Sequence, residues 1–514
     1  MGLLAGSTLQ NAFSVAIGAN AGQSSQGANC VAMGYSAGQA SQGGNAVAVG
    51  LNAGSTIQGS SAVAVGNSAG QSSQGQFTVA VGVSAGKISQ GESAVAIGRD
   101  AGLNLQLSNA VAIGYLAGNS SQSTSATAIG QQAGRSAQGQ YAIAVGLAAG
   151  EVSQGYSAIA MGYLAGNSLQ SSFATAVGNQ AGQGSQGQQG TAVGYQAGFS
   201  LQSSFATALG NVAGQTNQGQ EATAVGSGAG TSSQGARAVA VGNLAGYTTQ
   251  GVSAVAVGLS AGQTSQGISA VAVGQGAGLT SQGQYATAVG YLAGLTTQST
   301  FATSIGPQAG QTSQGQFGIA MGYLSGNDRQ GTASIAIGTN TGQTLQGANA
   351  IAIGNGAATS SQGANSICIN ASGNTVQNTV ANSCVITPMR NLAGGFVLNY
   401  NTTSNEVTYV ASSRDTKDSI EDLVKDTTKV FELKPKTYVY KTDLLGPRQC
   451  GYVAEEVYEI DPAFATYCDL DGPPVAISYD TIQIYMLEEM KKLRAEVDAL
   501  KAQLAPAAPA APSE

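Results

Sequence analysis

A tetrapeptide that begins at Val15 returns every 16 residues without an insertion. Val15-Ala16-Ile17-Gly18 becomes Val31-Ala32-Met33-Gly34, and the series runs on to Ile351-Ala352-Ile353-Gly354 and a decayed Ile367-Cys368-Ile369-Asn370. That makes 23 copies in strict phase. With Val15 as slot 1, slot 2 is Ala in 21 copies, the exceptions being Ser304 and Cys368. Slots 4 and 8 are Gly, slot 7 is Ala and slot 12 is Gln, with few exceptions. A period this short and regular implies a stack of like units, each covering its neighbour's edge. The phase extends back through Gln10, Gly6, Ala5 and Gly2, so Met1 falls on slot 3, which reads as a fragment or a displaced start.

Slots 1 to 3 alternate large, small, large, the period of a strand. The remaining slots hold too many glycines and β-branched residues for a helix. One unit has room for two short strands and two turns. The expected fold is therefore mostly β: a parallel β-roll or solenoid rod over residues 1–370. At about 4.8 Å per coil it is roughly 110 Å long. In this reading the Val and Ile of slots 1 and 3 fill the inside, and Gly turns the corners with positive φ. Gln26, Gln42, Gln58, Gln74, Gln90 and their successors stack as an amide ladder; the alternative is a polar turn residue. Slot 2 then faces outward. A face kept that small predicts a second chain packed on it, most simply in a homotrimer. Slots 5, 6 and 9 to 11 form the outer surface, with Tyr35, Tyr115, Tyr163, Tyr195, Tyr291 and Tyr323 on slot 5. A cell-surface receptor or glycan is the candidate partner there.

Charge divides the chain. Residues 1–411 carry 6 basic and 6 acidic side chains, whereas 412–514 carry 12 and 19. A neutral rod lacks the basic footprint of nucleic-acid binding. Its scattered carboxylates argue against a calcium-binding solenoid. Cys30, Cys368, Cys384, Cys450 and Cys468 lie far apart, and the chain has no His, so no metal site, cofactor or disulfide framework is expected. "MGLLAGSTLQ" has no charged segment before an apolar run, and no apolar run is long enough to span a bilayer, so no membrane insertion is expected. "GVSAGKIS" (82–89) imitates a phosphate loop but lacks its spacing and sits in phase with every other copy.

"NAVAVGLNAG", "SAVAIGRDAG" and "NAIAIGNGAA" resemble the head repeats of trimeric autotransporter adhesins. That resemblance implies a left-handed parallel β-roll assembled as a trimer over about residues 1–370. The 16-residue spacing with its invariant Gln departs from that family in detail.

Residues 371–411 read as a small β junction closing the roll's end. Residues 412–504 have α+β character, and 505–514 form a disordered Pro/Ala tail. "KDSIEDLVKDTTKVFEL" predicts a helix with Ile420, Leu423, Val424 and Val430 on one face, and "KTYVYK" predicts a strand. Met486, Met490, Leu493, Val497, Leu500 and Leu504 are spaced as a heptad seam, which predicts a self-associating coiled coil.

"SSRDTKDSI", "LKPKTYVYK", "GYVAEEV" and "ISYDTIQIYMLEEMKKLRAEV" resemble the C-terminal intramolecular chaperone of phage endosialidases, tail spikes and some giant-virus fibres. The resemblance implies a domain that trimerises, guides folding of a β-rich fibre and then cuts itself off with a serine–lysine dyad. Carried onto this chain, the catalytic pair is Ser412 and Lys417 and the cleavage bond is Ala411–Ser412. Lysine can activate a serine without histidine when burial lowers its pKa. Ser413 and Asp415 stand where the family pattern has Asp and Arg, which makes Ser413 a rival nucleophile and Asp415 a partner able to hold Lys417 protonated. Either serine also suits a helix N-cap. The expected protein is a structural fibre on a virion surface, folded in the host cytoplasm, with host attachment as an added role and no turnover enzyme activity. The alternatives are a cellular trimeric adhesin and a glycan- or ice-binding solenoid.

Overall fold

The computed structural model describes residues 2–390, 398–401, 404–409, 412–441, 445–467 and 473–504. The chain divides into two compact units, 1–389 and 390–514.

The first unit is a parallel β-solenoid. Each repeat gives one three-residue strand from slots 1 to 3, such as Val95–Ile97, to a sheet of 24 strands. Every strand pairs with its equivalent one repeat later, Val95 with Val111 and Ala96 with Ala112. The last partner, Cys384–Thr387, follows Ile367–Asn370 in parallel, so part of the expected β junction extends the solenoid. Slots 10 to 12 form a second sheet, as in Asn104–Gln106, broken into pieces of 9, 3, 2 and 2 strands. Between the pieces the coils keep single glutamine bridges, as at Gln186 and Gln250, and in many coils slot 11 takes a left-handed backbone, as in Ser73 (φ 57°) and Leu105 (φ 50°).

The interior corrects the expected one. Ala32, Ala48 and Ala64 of slot 2, Ala37 and Ala53 of slot 7, and Ala46 and Ala62 of slot 16 are 0% exposed. The Val and Ile of slots 1 and 3 line the outside, where Ile97 is 38% and Met161 43% exposed. The nearly constant Ala of slot 2 therefore does not face a second chain. Alternation separates two faces of a strand but does not say which one is inside. Two three-residue strands closed by tight turns leave a bore that fits methyl groups and amide arms. Glycine is required where coils touch: a Cβ on Gly130 (φ 128°) would sit 2.5 Å from the carbonyl oxygen of Gly146. At slot 8, a Cβ on Gly102 would sit 2.7 Å from Oε1 of Gln106.

The slot-12 glutamines are buried in this bore. Gln106 Nε2 donates to the carbonyls of Val95 (2.8 Å) and Ala110 (3.2 Å) and to Oε1 of Gln122 (3.1 Å). Amide-to-amide bonds run from Gln74 to Gln186 and again from Gln202 to Gln362. Gln26, Gln42 and Gln58 donate to backbone carbonyls. In the decayed coil Asn378 takes over, buried and donating to Ile367 O at 2.9 Å. Buried amides this well satisfied supply the specificity that an alanine core cannot.

The second unit begins with an antiparallel hairpin, β1 (Leu398–Asn401) and β2 (Glu406–Tyr409). The expected helix over 417–433 does not form. A short 3₁₀ helix, Thr427–Glu432, stands at its end, capped by Asp426, and Ile420, Leu423 and Val424 are exposed. Ser419 is left-handed (φ 51°), the β-branched pair Thr427-Thr428 disfavours a helix, and Pro435 follows. Then come β3 (Lys436–Tyr438) paired with β4 (Gln449–Gly451), α1 (Ala454–Ile460), β5 (Ala465–Tyr467) paired with β6 (Pro474–Ile477), and α2 (Tyr479–Leu504). Phe464, Tyr485, Val457 and Ile482 form the core, with Phe464 edge-on to Tyr485 at 5.0 Å. Tail residues 505–514 and Cys468 lie outside the described residues.

Candidate functional site

Ser412 and Lys417 flank a 3₁₀ turn, Arg414–Thr416, and all of 412–417 is exposed. Ser413 caps the turn: its hydroxyl accepts from Asp415 N at 3.2 Å, and its carbonyl accepts from Thr416 Oγ1 at 2.9 Å. The capping role thus falls on Ser413 and leaves Ser412 one residue before the cap. Among the described residues, no ion pair joins Asp415 to Lys417. Ala411, on the other side of the cleavage bond, lies outside the described residues.

All six seam residues share α2. Its first half packs inward through Ile482, Tyr485 and Glu489, while Met490 (65%) and Leu493 (56%) stand exposed. Together with Phe431, Leu433 and Tyr452 they line an apolar groove of about 480 Å³. Beside the groove lies a polar cluster that sequence reasoning missed. Lys492 Nζ donates to Glu489 Oε1 (2.6 Å) and to Thr427 Oγ1 (2.8 Å), and the Thr427 hydroxyl donates to Glu489. Lys492 first, then Thr427, hold the Glu489 carboxyl below the usual range. Nearby, Asp461 accepts from Ala463 N (2.9 Å) and Tyr485 OH (3.3 Å) and lies 3.8 Å from Lys429. Burial, then Asp461, pushes the Tyr485 hydroxyl up. The available signal was Glu489 one residue before a seam position, with Asp426-Thr427 at a turn start. Among the described residues, no cluster could hold a metal ion, and no helix is long and apolar enough to cross a membrane.

The Peptidase S74 family, described as chaperone of endosialidase, matches residues 412–466. The match starts at Ser412 and covers the capped turns, β3, β4, α1 and most of β5. No curated protein and no solved structure is significantly similar to the chain. The chain thus couples a β-solenoid of tandem repeats to an endosialidase-type chaperone domain, the composition of a tail-fibre or spike-like protein.

Proposed function

We propose that the protein is the trimeric fibre of a virus particle, its solenoid shafts brought into register by the C-terminal chaperone, which then releases itself. The observation that carries this reading is the outward Val/Ile stripe on the sheet of 24 strands. Slots 1 and 3 together present on the order of 2,000 Å² of apolar surface, well beyond the patch a monomer leaves bare or the ~800 Å² that each partner gives a standard interface. No charged residue falls on either slot in any copy. Parallel copies of the same chain, their stripes turned to a common axis, cover it along its whole length. In the chaperone, Glu496 and Lys501 stand five residues apart on either flank of the α2 seam, the relation that pairs charges between parallel helices. The Thr264 and Thr280 hydroxyls donate to the next coil's backbone, at 2.9 Å for Thr264, which weighs against a free hydroxyl array for ice.

Release follows from the dyad. Lys417 takes the hydroxyl proton of Ser412, whose Oγ adds to the Ala411 carbonyl carbon. The Ser412 nitrogen leaves with that proton, and water hydrolyses the resulting ester to an Ala411 carboxylate. A lysine acts as base only when desolvated. Lys417 is exposed in one copy, so cleavage waits on burial by the assembled copies. Host attachment by the released shaft completes the reading.

Intact-mass measurement of the purified chain tests release. Wild type loses a fragment of roughly 11 kDa, while Ser412→Ala and Lys417→Ala stay whole and Ser413→Ala still cleaves. Whole wild-type trimers overturn self-cleavage. Sedimentation tests assembly: Val241→Asp with Val257→Asp, both on slot 3, keeps β circular dichroism but gives no trimer.

A further inference from the structure

The hairpin of β1 and β2 has two unlike faces. Opposed residues of an antiparallel pair point to the same side, and the register sets Leu398 against Tyr409 and Tyr400 against Val407. These four make one face, 64%, 61%, 60% and 66% exposed in that order. Asn399 with Thr408 and Asn401 with Glu406 make the other. Polar groups toward the loop bond within the hairpin. Tyr400 OH donates to Asn405 Oδ1 at 2.9 Å, Ser404 N to Asn401 Oδ1 at 3.1 Å, and Ser404 Oγ to Glu406 at 3.0 Å. The first face is apolar and uncharged, and the second is polar.

Such a hairpin does not stand alone. Two strands are marginal in water without a third strand or a packed face. Here every residue of both strands is exposed, so the Phe464–Tyr485 core of the same unit does not cover them. The place in the chain is also particular. Before the hairpin comes the last solenoid strand, where Ile386 still carries the outer apolar stripe at 44% exposure. After it comes the proposed cleavage bond, whose carbonyl belongs to Ala411, two residues past Tyr409. The hairpin therefore stays with the shaft when the chaperone leaves.

We infer that the hairpins of three copies pack their apolar faces together and clasp the chain ends of the shaft, a contact that outlasts the chaperone. The inference rests on the three-copy reading above. Identical faces without charge meet around a common axis with no like-charge repulsion, and Asn399, Asn401, Glu406 and Thr408 then face water. The area suffices. A tyrosine buries about 150–250 Å², so with Leu398 and Val407 each copy contributes on the order of 500 Å². Three copies bury on the order of 1,500 Å², the size of a standard specific interface. A sugar-stacking platform accounts for the face less well. Branched Leu398 and Val407 stand opposite the two rings, and the Tyr400 hydroxyl is already bonded to Asn405.

Full-length chains carrying Leu398→Cys or, on the polar face, Asn399→Cys test the clasp after treatment with a short bis-maleimide. Linked peptides are identified by mass spectrometry. The expected result is copies joined to one another through position 398, with that product lost when the thiol moves to position 399. Val407→Cys is a second probe of the same face, in case the first disturbs the hairpin. Hydrogen exchange supplies the other measurement. Amides of 398–409 should be protected in the trimer, and Leu398→Asp with Val407→Asp should lose that protection while Asn399→Asp with Thr408→Asp keeps it. A sedimenting trimer in which neither apolar-face thiol links copies overturns the clasp, and equal linking from both faces does the same. Protection that disappears when the fragment from 412 onward departs assigns the cover to the chaperone and also overturns it. A monomeric chain overturns the three-copy reading itself, and the clasp with it.

Discussion

The solenoid and the chaperone unit solve opposite problems. In the solenoid, burial is repeated: the same Ala, Ala, Gln and small residue recur inside each coil. In the chaperone unit nothing recurs, and single large side chains such as Phe464 and Tyr485 carry the core. A repeated interior builds length but gives no coil an identity. A unique interior defines one arrangement and cannot extend. The comparison teaches that length and a unique packed core come from different parts of this chain. The repeated part leans on buried amides, the unique part on apolar packing.

Substitutions test that division. Gln250→Leu removes the donor to Val239 O, Ala254 O and Gln266 Oε1 and the acceptor of Gln234 Nε2; Ala254 O keeps its backbone donor, and each group left without a partner costs roughly 1–3 kcal/mol. Hydrogen exchange around residues 234–266 should rise sharply, and unchanged protection would show that the amide column is not what holds the coils. Phe464→Ala should cost about 3–5 kcal/mol. It should lower the denaturant midpoint of the chaperone transition while leaving solenoid exchange unaltered. Gln58→Leu should cost less, about 1–3 kcal/mol, because Gln58 donates to Val47 O and Ala62 O but to no amide. A loss equal to that of Gln250→Leu would mean that amide-to-amide bonds add nothing. The smallest expected effect is in pH dependence. Lys492 and Thr427 lower the folded pKa of Glu489. Its contribution is therefore full above the unfolded value of about 4.3 and fades as pH falls through the folded value. Glu489→Gln should flatten the acid limb of chaperone stability, and an unchanged limb would assign it to other carboxylates.

Much of the solenoid was legible because period and phase are visible in one chain. The inside-out reading of slots 1 to 3 arose because alternation has no sign. The better signal was invariance. Ala on slot 2 hardly varies because a bore has one size, whereas slots 1 and 3 accept Val, Ile, Thr, Met and Leu because an outer face does not. The helix expected over 417–433 was misread for another reason. Ile420, Leu423 and Val424 have helical spacing, but within one copy nothing covers them. The Thr427–Glu489–Lys492 cluster spans 65 residues of sequence, and no local pattern announces such a contact. Ser412 and Lys417 were found through resemblance to a family, and the matched region does begin at that serine; their chemistry awaits the mass measurement.

The glutamine columns carry a consequence for how such a protein changes size. Each amide donates in the same direction along the axis, and the two runs begin at Gln74 and Gln202, whose Oε1 atoms have no partner among the described residues. Deleting or duplicating one 16-residue unit within a run would return every amide to an equivalent neighbour and every strand to an equivalent edge. The length of the shaft is therefore quantised in steps of about 4.8 Å, and recombination between copies could lengthen or shorten it without revisiting the fold.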